Sequence, residues 1–166
     1  MIETSGRRLQ NGETLPDLTL PAVSGSEVSL RDYVAGAWSV VLFYRGNWCP
    51  FCNAQLSAYQ RKSADLEQLG VRVIAISADT AEEARKTVER HHIAFPVLYG
   101  ANPAALAQCF GTHVASNAHG TFVNSTGFVV NEKGAIVVAV YSSGAIGRIV
   151  ADDAIGFIKY AQSAAK

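Results

Sequence analysis

The chain has no surplus of charge: its 166 residues carry 14 Lys+Arg against 14 Asp+Glu, a formal net charge of zero. That removes the electrostatic footprint of a nucleic-acid or anionic-membrane binder, so neither is expected as a partner. Long apolar runs are missing too. Stretches such as VVLFY at 40–44 fall far short of the roughly 20 residues a transmembrane helix needs. The opening MIETSGRRLQNGETLPD has Arg7 and Arg8 but no apolar run behind them. No secretory or twin-arginine signal is expected, and a cytoplasmic, reducing setting follows. Cysteine is scarce and odd in number, three in all, which argues against a framework of structural disulfides. Repeats, low-complexity segments, linkers and phosphate-binding glycine loops are absent. With 49% hydrophobic and 17% charged residues, the composition is that of one globular domain over 1–166 with a sizeable core.

What is present is an alternation of strand and helix patterns. LTL at 18–20 and EVSL at 27–30 flank the turn residues SGS and predict a small hairpin. A short helical turn follows at RDYVAG. WSVVLFY (38–44) is apolar almost throughout, as a strand buried on both faces requires. PFCNAQLSAYQRKSADLEQLG (50–70) reads as one long helix closing at Gly70. VRVIAIS (71–77) predicts a strand and TAEEARKTVERHH (80–92) a helix, acidic early and basic late. FPVLY (95–99) is a short strand that Pro96 should start, and NPAALAQCFG (102–111) a helix capped by Asn102. GFVVN (127–131) and AIVVAVY (135–141) form a hairpin around EKG, and 151–165 is a terminal helix. The order predicts an α/β sandwich with a mixed sheet and helices on both faces. Residues 112–126 fit no element well and are expected to be a functional loop or an insertion with a little structure.

Chemistry concentrates at Cys49 and Cys52, which follow a buried strand and open a helix. Unpaired N–H groups at a helix start stabilise an anion there. Arg45 adds positive charge four residues back, and Pro50 suits the first helical turn. These features lower the Cys49 pKa, and the thiolate is the nucleophile. Cys52, Leu56, Tyr59, Ser63 and Leu66 recur at helical spacing, so Cys52 should face the sheet and Cys49 the exposed mouth. On this reading Cys49 attacks and Cys52 resolves. A zinc site needs four ligands; one C-x-x-C supplies two, and His91, His92, His113 and His119 show no ligand spacing. Two inert cysteines are the other bland reading, but C-x-x-C between strand and helix favours redox chemistry. Trp48 is expected to pack beside this turn and shape access. Cys109 is expected to be a buried inert thiol, and His91 and His92 a solvated helix end. His113 and His119 lie in the irregular stretch, and either is a lesser candidate for approaching the thiols.

WCPFC at 48–52 resembles the W-C-x-x-C centre of thioredoxin-fold proteins. The wider pattern resembles the alkyl hydroperoxide reductase/thiol-specific antioxidant family, the peroxiredoxins and their redoxin relatives. GETLPDLTLPAVSGSEVSLRDY, VVLFYRGNWCPFC, IAFPVLYGANPAALAQCFG and GFVVNEKGAIVVAV, with the later IGR, match that family's segments in order over about residues 12 to 160. The resemblance implies a thioredoxin-like fold with an N-terminal hairpin extension. It implies a cysteine peroxidase acting on hydroperoxides, or a disulfide reductase, regenerated by a thioredoxin- or glutathione-type donor. No metal, flavin or nucleotide cofactor is implied, and relatives of this kind are often homodimers.

The chain also departs from the family. Peroxiredoxins carry P-x-x-x-T-x-x-C; in that register Arg45 falls at the proline, Cys49 at the threonine and Cys52 at the attacking cysteine. Ser125 stands near the position of the family's arginine and of the thioredoxin cis-proline, and Arg148 supplies charge only if the fold brings it near. The family register therefore nominates Cys52 as the attacking sulfur, whereas thiolate character and access nominate Cys49. A protein-disulfide oxidoreductase without peroxidase activity, and a redox-sensing module without turnover, remain the alternatives.

Overall fold

The structure, a computed structural model, describes residues 6–165. Its first elements are a hairpin of β1 (Thr19–Pro21) and β2 (Glu27–Ser29), followed by the one-turn helix α1 (Leu30–Val34). The hairpin is tied to the body by a bridge from Ala22 to Leu98. The chain then enters β3 (Ser39–Phe43), every residue of which is buried. Helices α2 (Pro50–Arg61) and α3 (Ser63–Gln68) lead to β4 (Arg72–Ile76), which lies parallel to β3. A parallel pair cannot be joined by a tight turn, so a helical crossover is required. Helix α4 (Ala81–His91) then leads to β5 (Val97–Leu98), parallel to β4, and α5 (Pro103–Phe110) follows. A two-stranded ribbon, β6 (Val114–Asn117) and β7 (Gly120–Val123), precedes β8 (Thr126–Val130) and β9 (Ile136–Tyr141). Helix α6 (Ala151–Ala164) ends the fold.

The central sheet has the order β5-β4-β3-β8-β9, with β8 antiparallel to β3 and β9 antiparallel to β8. Alternation along β3 divides the core. Val40 and Leu42, with Tyr44 just beyond, join α2, α4 and α6 on one face. Val41 and Phe43 join α1, α5 and the Phe110 and Phe128 rings on the other. Full burial of a side chain such as Leu42 contributes about 1.5–3 kcal/mol, so a one-residue slip of β3 would exchange the two faces at large cost.

This is the expected mixed-sheet architecture with an N-terminal hairpin, and two local expectations are corrected. The helix expected over 50–70 is divided at Lys62, whose backbone (φ −97°, ψ 13°) leaves helical geometry while its N–H still bonds back to Ala58 and Tyr59. The stretch 112–126 is not irregular: β6 and β7 pair antiparallel with Asn117 opposite Gly120. The Asn117 side chain accepts the His119 N–H at 2.7 Å, and Gly120 takes a left-handed φ of 108°. Asn-x-x-Gly was a legible turn signal.

Candidate active site

The end of β3 and the start of α2 set the site. Tyr44 extends β3 by bonding to Ile76, and the chain turns through 45–48 before Cys49 caps α2. Cys49 has an extended backbone (φ −88°, ψ 112°), and its sulfur accepts the Cys52 N–H at 3.3 Å, where a capping side-chain oxygen ordinarily sits. Pro50 occupies the first helical turn, as expected. The Arg45 guanidinium reaches to 4.0 Å from the Cys49 sulfur. The Arg45 backbone N–H points instead at the Cys52 sulfur, at 3.4 Å.

A second guanidinium arrives from far along the chain. Arg148 donates from Nη2 to the Cys52 sulfur at 3.4 Å and from Nε to Ser125 Oγ at 3.2 Å. The fold therefore does bring Arg148 to the thiols, and Ser125 orients it. What holds Arg148 is its neighbour: the Ile149 carbonyl accepts from Gln55 Nε2 and from the Tyr59 hydroxyl, each at 3.0 Å. Both donors are buried on the α2 stripe that carries Cys52 and Leu56. Sequence reasoning placed Tyr59 on this stripe but passed over Gln55 and gave neither a partner, although polar atoms on a buried stripe require one.

Asp79, just past β4, anchors the other side of the turn. Its carboxylate accepts the Asn47 N–H at 2.9 Å while Asn53 Nδ2 donates to the Asn47 carbonyl at 2.8 Å. A Cβ at Gly46 would collide with the Trp48 indole and crowd Asp79. His91 is not merely a solvated helix end, since its ring reaches Asn53 Oδ1 at 3.2 Å. Asp79 and Asn53 also escaped the sequence reading. The signal available was a carboxyl at the C-terminal end of a parallel strand, where α/β folds place their sites.

The two sulfurs differ electrostatically. Cys49 is held well below the ordinary thiol range, chiefly because the Cys52 thiol donates to it; the Cys52 N–H and the Arg45 guanidinium add to this while burial opposes. Cys52 is pushed up by that same hydrogen bond and by burial. Both shifts favour the negative charge on Cys49 and the proton on Cys52. Burial, with Glu83 nearby, pushes Asp79 up to about 7.

Cys52 faces the core as expected, but the exposed mouth expected for Cys49 is not there: both cysteines have zero exposure. The β6–β7 ribbon packs on the turn that precedes Cys49. His119 stacks on Trp48 (centroids 4.7 Å apart, planes 2° apart), and Phe122 meets Trp48 edge-on at 4.9 Å. The Arg45 guanidinium lies over both the Trp48 and Phe122 rings, at 5.0 and 4.8 Å, with Nε bonded to Asn124. Cys109, expected to be buried, is exposed; α5 turns Leu106, Ala107 and Phe110 inward, which leaves Cys109 outside. His113 pairs with Arg8, away from the thiols. No peptide bond among the described residues is cis, at Ser125 or elsewhere. Among the described residues no group of His, Cys, Asp and Glu is placed to hold a metal ion.

The chain is similar to known proteins in sequence and in fold. The sequence model described as the AhpC/TSA family matches residues 11–139. A relative named "Putative peroxiredoxin Rv2521", from Mycobacterium tuberculosis, is 32% identical over 149 residues, covering 88% of this chain and 94% of its own. Among solved structures, peroxidoxin BcpB from Mycobacterium tuberculosis superposes with a TM-score of 0.77 at 20% identity, covering 92% of this chain and 98% of its own. Enterococcus faecalis AhpC does so at 0.77 and 24% identity, covering 93% of each chain. At these identities the solved structures speak to the fold.

Proposed function

The chain belongs to the AhpC/TSA family, and from that premise we propose that it is a thiol peroxidase reducing hydroperoxides through a Cys49/Cys52 dithiol–disulfide cycle. The observation that carries this reading is the Cys49 sulfur at the start of α2, accepting the Cys52 N–H with the Arg45 guanidinium beside it. The Cys49 thiolate attacks the terminal peroxide oxygen. An S–O bond forms as the O–O bond breaks, and the departing alkoxide takes a proton from water, leaving Cys49 as sulfenic acid. Arg45 and Arg148 offset the negative charge that moves onto the leaving oxygen. The Cys52 sulfur then attacks Cys49. The S–S bond forms, the S–O bond breaks, and hydroxide leaves as water with the Cys52 proton. Both sulfurs belong to one helical turn, so this second step is intramolecular. One dithiol of thioredoxin type, or two thiols of glutathione type, supplies two electrons and two protons to restore the pair and leaves as a disulfide. We assign this cycle to one domain working in a reducing, cytoplasmic setting; among the described residues no helix is long and apolar enough to cross a membrane.

Stopped-flow oxidation by hydrogen peroxide tests the reading, with Cys109→Ser as the background because Cys109 is exposed. The reduced protein should oxidise far faster than free cysteine and end as a disulfide. Cys49→Ser should lose the fast phase, and Cys52→Ser should keep it but stop at the sulfenic acid. A rate no better than free cysteine ends the proposal. One observation favours the reverse assignment: the Arg45 N–H and the Arg148 guanidinium converge on Cys52, the cysteine at the family's attacking position. Mild alkylation of the reduced protein with peptide mapping separates the two readings, because Cys52 labelled ahead of Cys49 would exchange the roles.

A further inference from the structure

The β6–β7 ribbon, packed on Trp48 and Arg45 beside Cys49, has a feature that the peroxidase cycle does not use. Its tip, residues 116–120, is exposed. Its hydrogen bonds, Ser116 with Thr121 and the His119 N–H with Asn117, stay within the ribbon. Among the described residues none ties the tip to the rest of the fold. The base is different: Phe122 and Val123 are buried, β7 packs against α5, and the Asn124 N–H closes on His113 at 2.8 Å. The tip is thus a lever on a fixed base. What meets the body at its end is the imidazole of His119, lying flat on the Trp48 indole. Trp48 is the residue before Cys49, and it also supports the Arg45 guanidinium that faces the Cys49 sulfur.

We propose that His119 is the specificity-determining clasp of this site: its stack on Trp48 holds the β6–β7 ribbon closed over Cys49, admits small hydroperoxides on slight opening, and holds back bulky ones. The proposal rests on the peroxidase reading for its substrate. Its geometry rests on two observations independent of that reading, both sulfurs at zero exposure and a ribbon tip whose aromatic contact is the one with Trp48. Small and large reagents respond differently because a small molecule needs only a narrow gap beside Trp48. A bulky one needs the tip displaced, and displacement breaks the stack.

The test compares His119→Ala and His119→Tyr with the parent, all carrying Cys109→Ser. Thiol access is read directly as the alkylation rates of the reduced protein with iodoacetamide and with a pyrene maleimide. Removing one aromatic stack should raise the pyrene-maleimide rate about threefold to tenfold and the iodoacetamide rate less than about twofold. His119→Tyr keeps a ring for the indole and should stay near the parent on both. Stopped-flow oxidation should follow the same order, cumene hydroperoxide gaining on hydrogen peroxide only in His119→Ala. An unchanged ratio of bulky to small reagent in His119→Ala, or a change in His119→Tyr as large as in His119→Ala, overturns the clasp. His119 is on an exposed turn, so neither variant removes core packing. The two proposals fail separately: a parent peroxide rate equal to that of free cysteine ends the peroxidase reading, while the alkylation ratio still judges the clasp.

Discussion

The charge on Cys49 should respond to substitution of Cys52 and Arg45 by amounts the geometry fixes. The largest influence holding Cys49 down is the hydrogen bond from the Cys52 thiol. A hydrogen bond to a charged group is worth about 1.5–3 kcal/mol, and one pH unit corresponds to about 1.4 kcal/mol. Cys52→Ala should therefore raise the Cys49 titration midpoint by about one to two pH units. Cys52→Ser keeps an O–H donor at the same place and should raise it much less. Arg45 acts through charge at 4.0 Å, where Coulomb's law gives about 1 kcal/mol with the screening of water and about 4 kcal/mol at an effective dielectric constant near 20. Its side chain is only half-buried, so the lower end applies, and Arg45→Gln should raise the midpoint by about one pH unit.

The assay is the pH profile of iodoacetamide alkylation at Cys49, mapped by peptide, in the Cys109→Ser background. A Cys52→Ala midpoint no higher than that of Cys52→Ser refutes the hydrogen-bond argument. An unmoved midpoint in Arg45→Gln refutes the electrostatic one. Stability carries the same signature. A thiol lowered in the folded state contributes stability that is complete above the unfolded thiol pKa of about 8.5 and is lost as pH falls through the folded value. The raised Cys52 has the opposite sign, its contribution present below about 8.5 and lost as pH rises beyond it. Reduced parent protein should thus gain stability relative to Cys49→Ser as pH rises toward about 8.5.

Asp79 should show a raised acid. It stays protonated in the fold up to about 7, whereas the unfolded carboxyl ionises near about 3.9, so its contribution is full at acid pH and lost as pH rises between those values. Asp79→Asn keeps an acceptor for the Asn47 N–H, and in urea unfolding it should gain on the parent by about 1–3 kcal/mol between acid pH and pH above 7; parallel curves would contradict this. Tyr59→Phe leaves the Ile149 carbonyl with Gln55 alone and should cost about 1 kcal/mol in the same assay. Because that carbonyl locates Arg148, the variant should also slow peroxide oxidation, and an unchanged rate would show that Arg148 is held by other means.

The strand–helix alternation, the entry hairpin and the α2 start were legible because each rests on local pattern. The apolar run ending at Tyr44, the turn residues around Ser24–Ser26 and the Cys49-Pro50 helix opening decide their own structure. The burial of Cys49 was not legible. Its neighbour Trp48 meets His119 and Phe122 from about seventy residues on, through a ribbon whose turn signal went unread. Arg148 posed the same difficulty. Its charge was visible and its position was not, because Gln55 and Tyr59 hold its neighbour Ile149 across 94 and 90 residues of chain. Cys109 shows a third limit, since a residue type usually found inside lands outside when its helix turns a different stripe inward.

The departure from the family pattern at Arg45 and the aromatic cover belong to one arrangement. A proline at 45 would keep the ring that shapes a peroxide pocket, but it would donate no N–H to Cys52 and bring no guanidinium to Cys49. Arginine supplies both. Its planar head needs flat partners, and it finds them in Trp48 and Phe122. The rings that seat Arg45 are thus the ones through which the ribbon meets the turn carrying the thiolate.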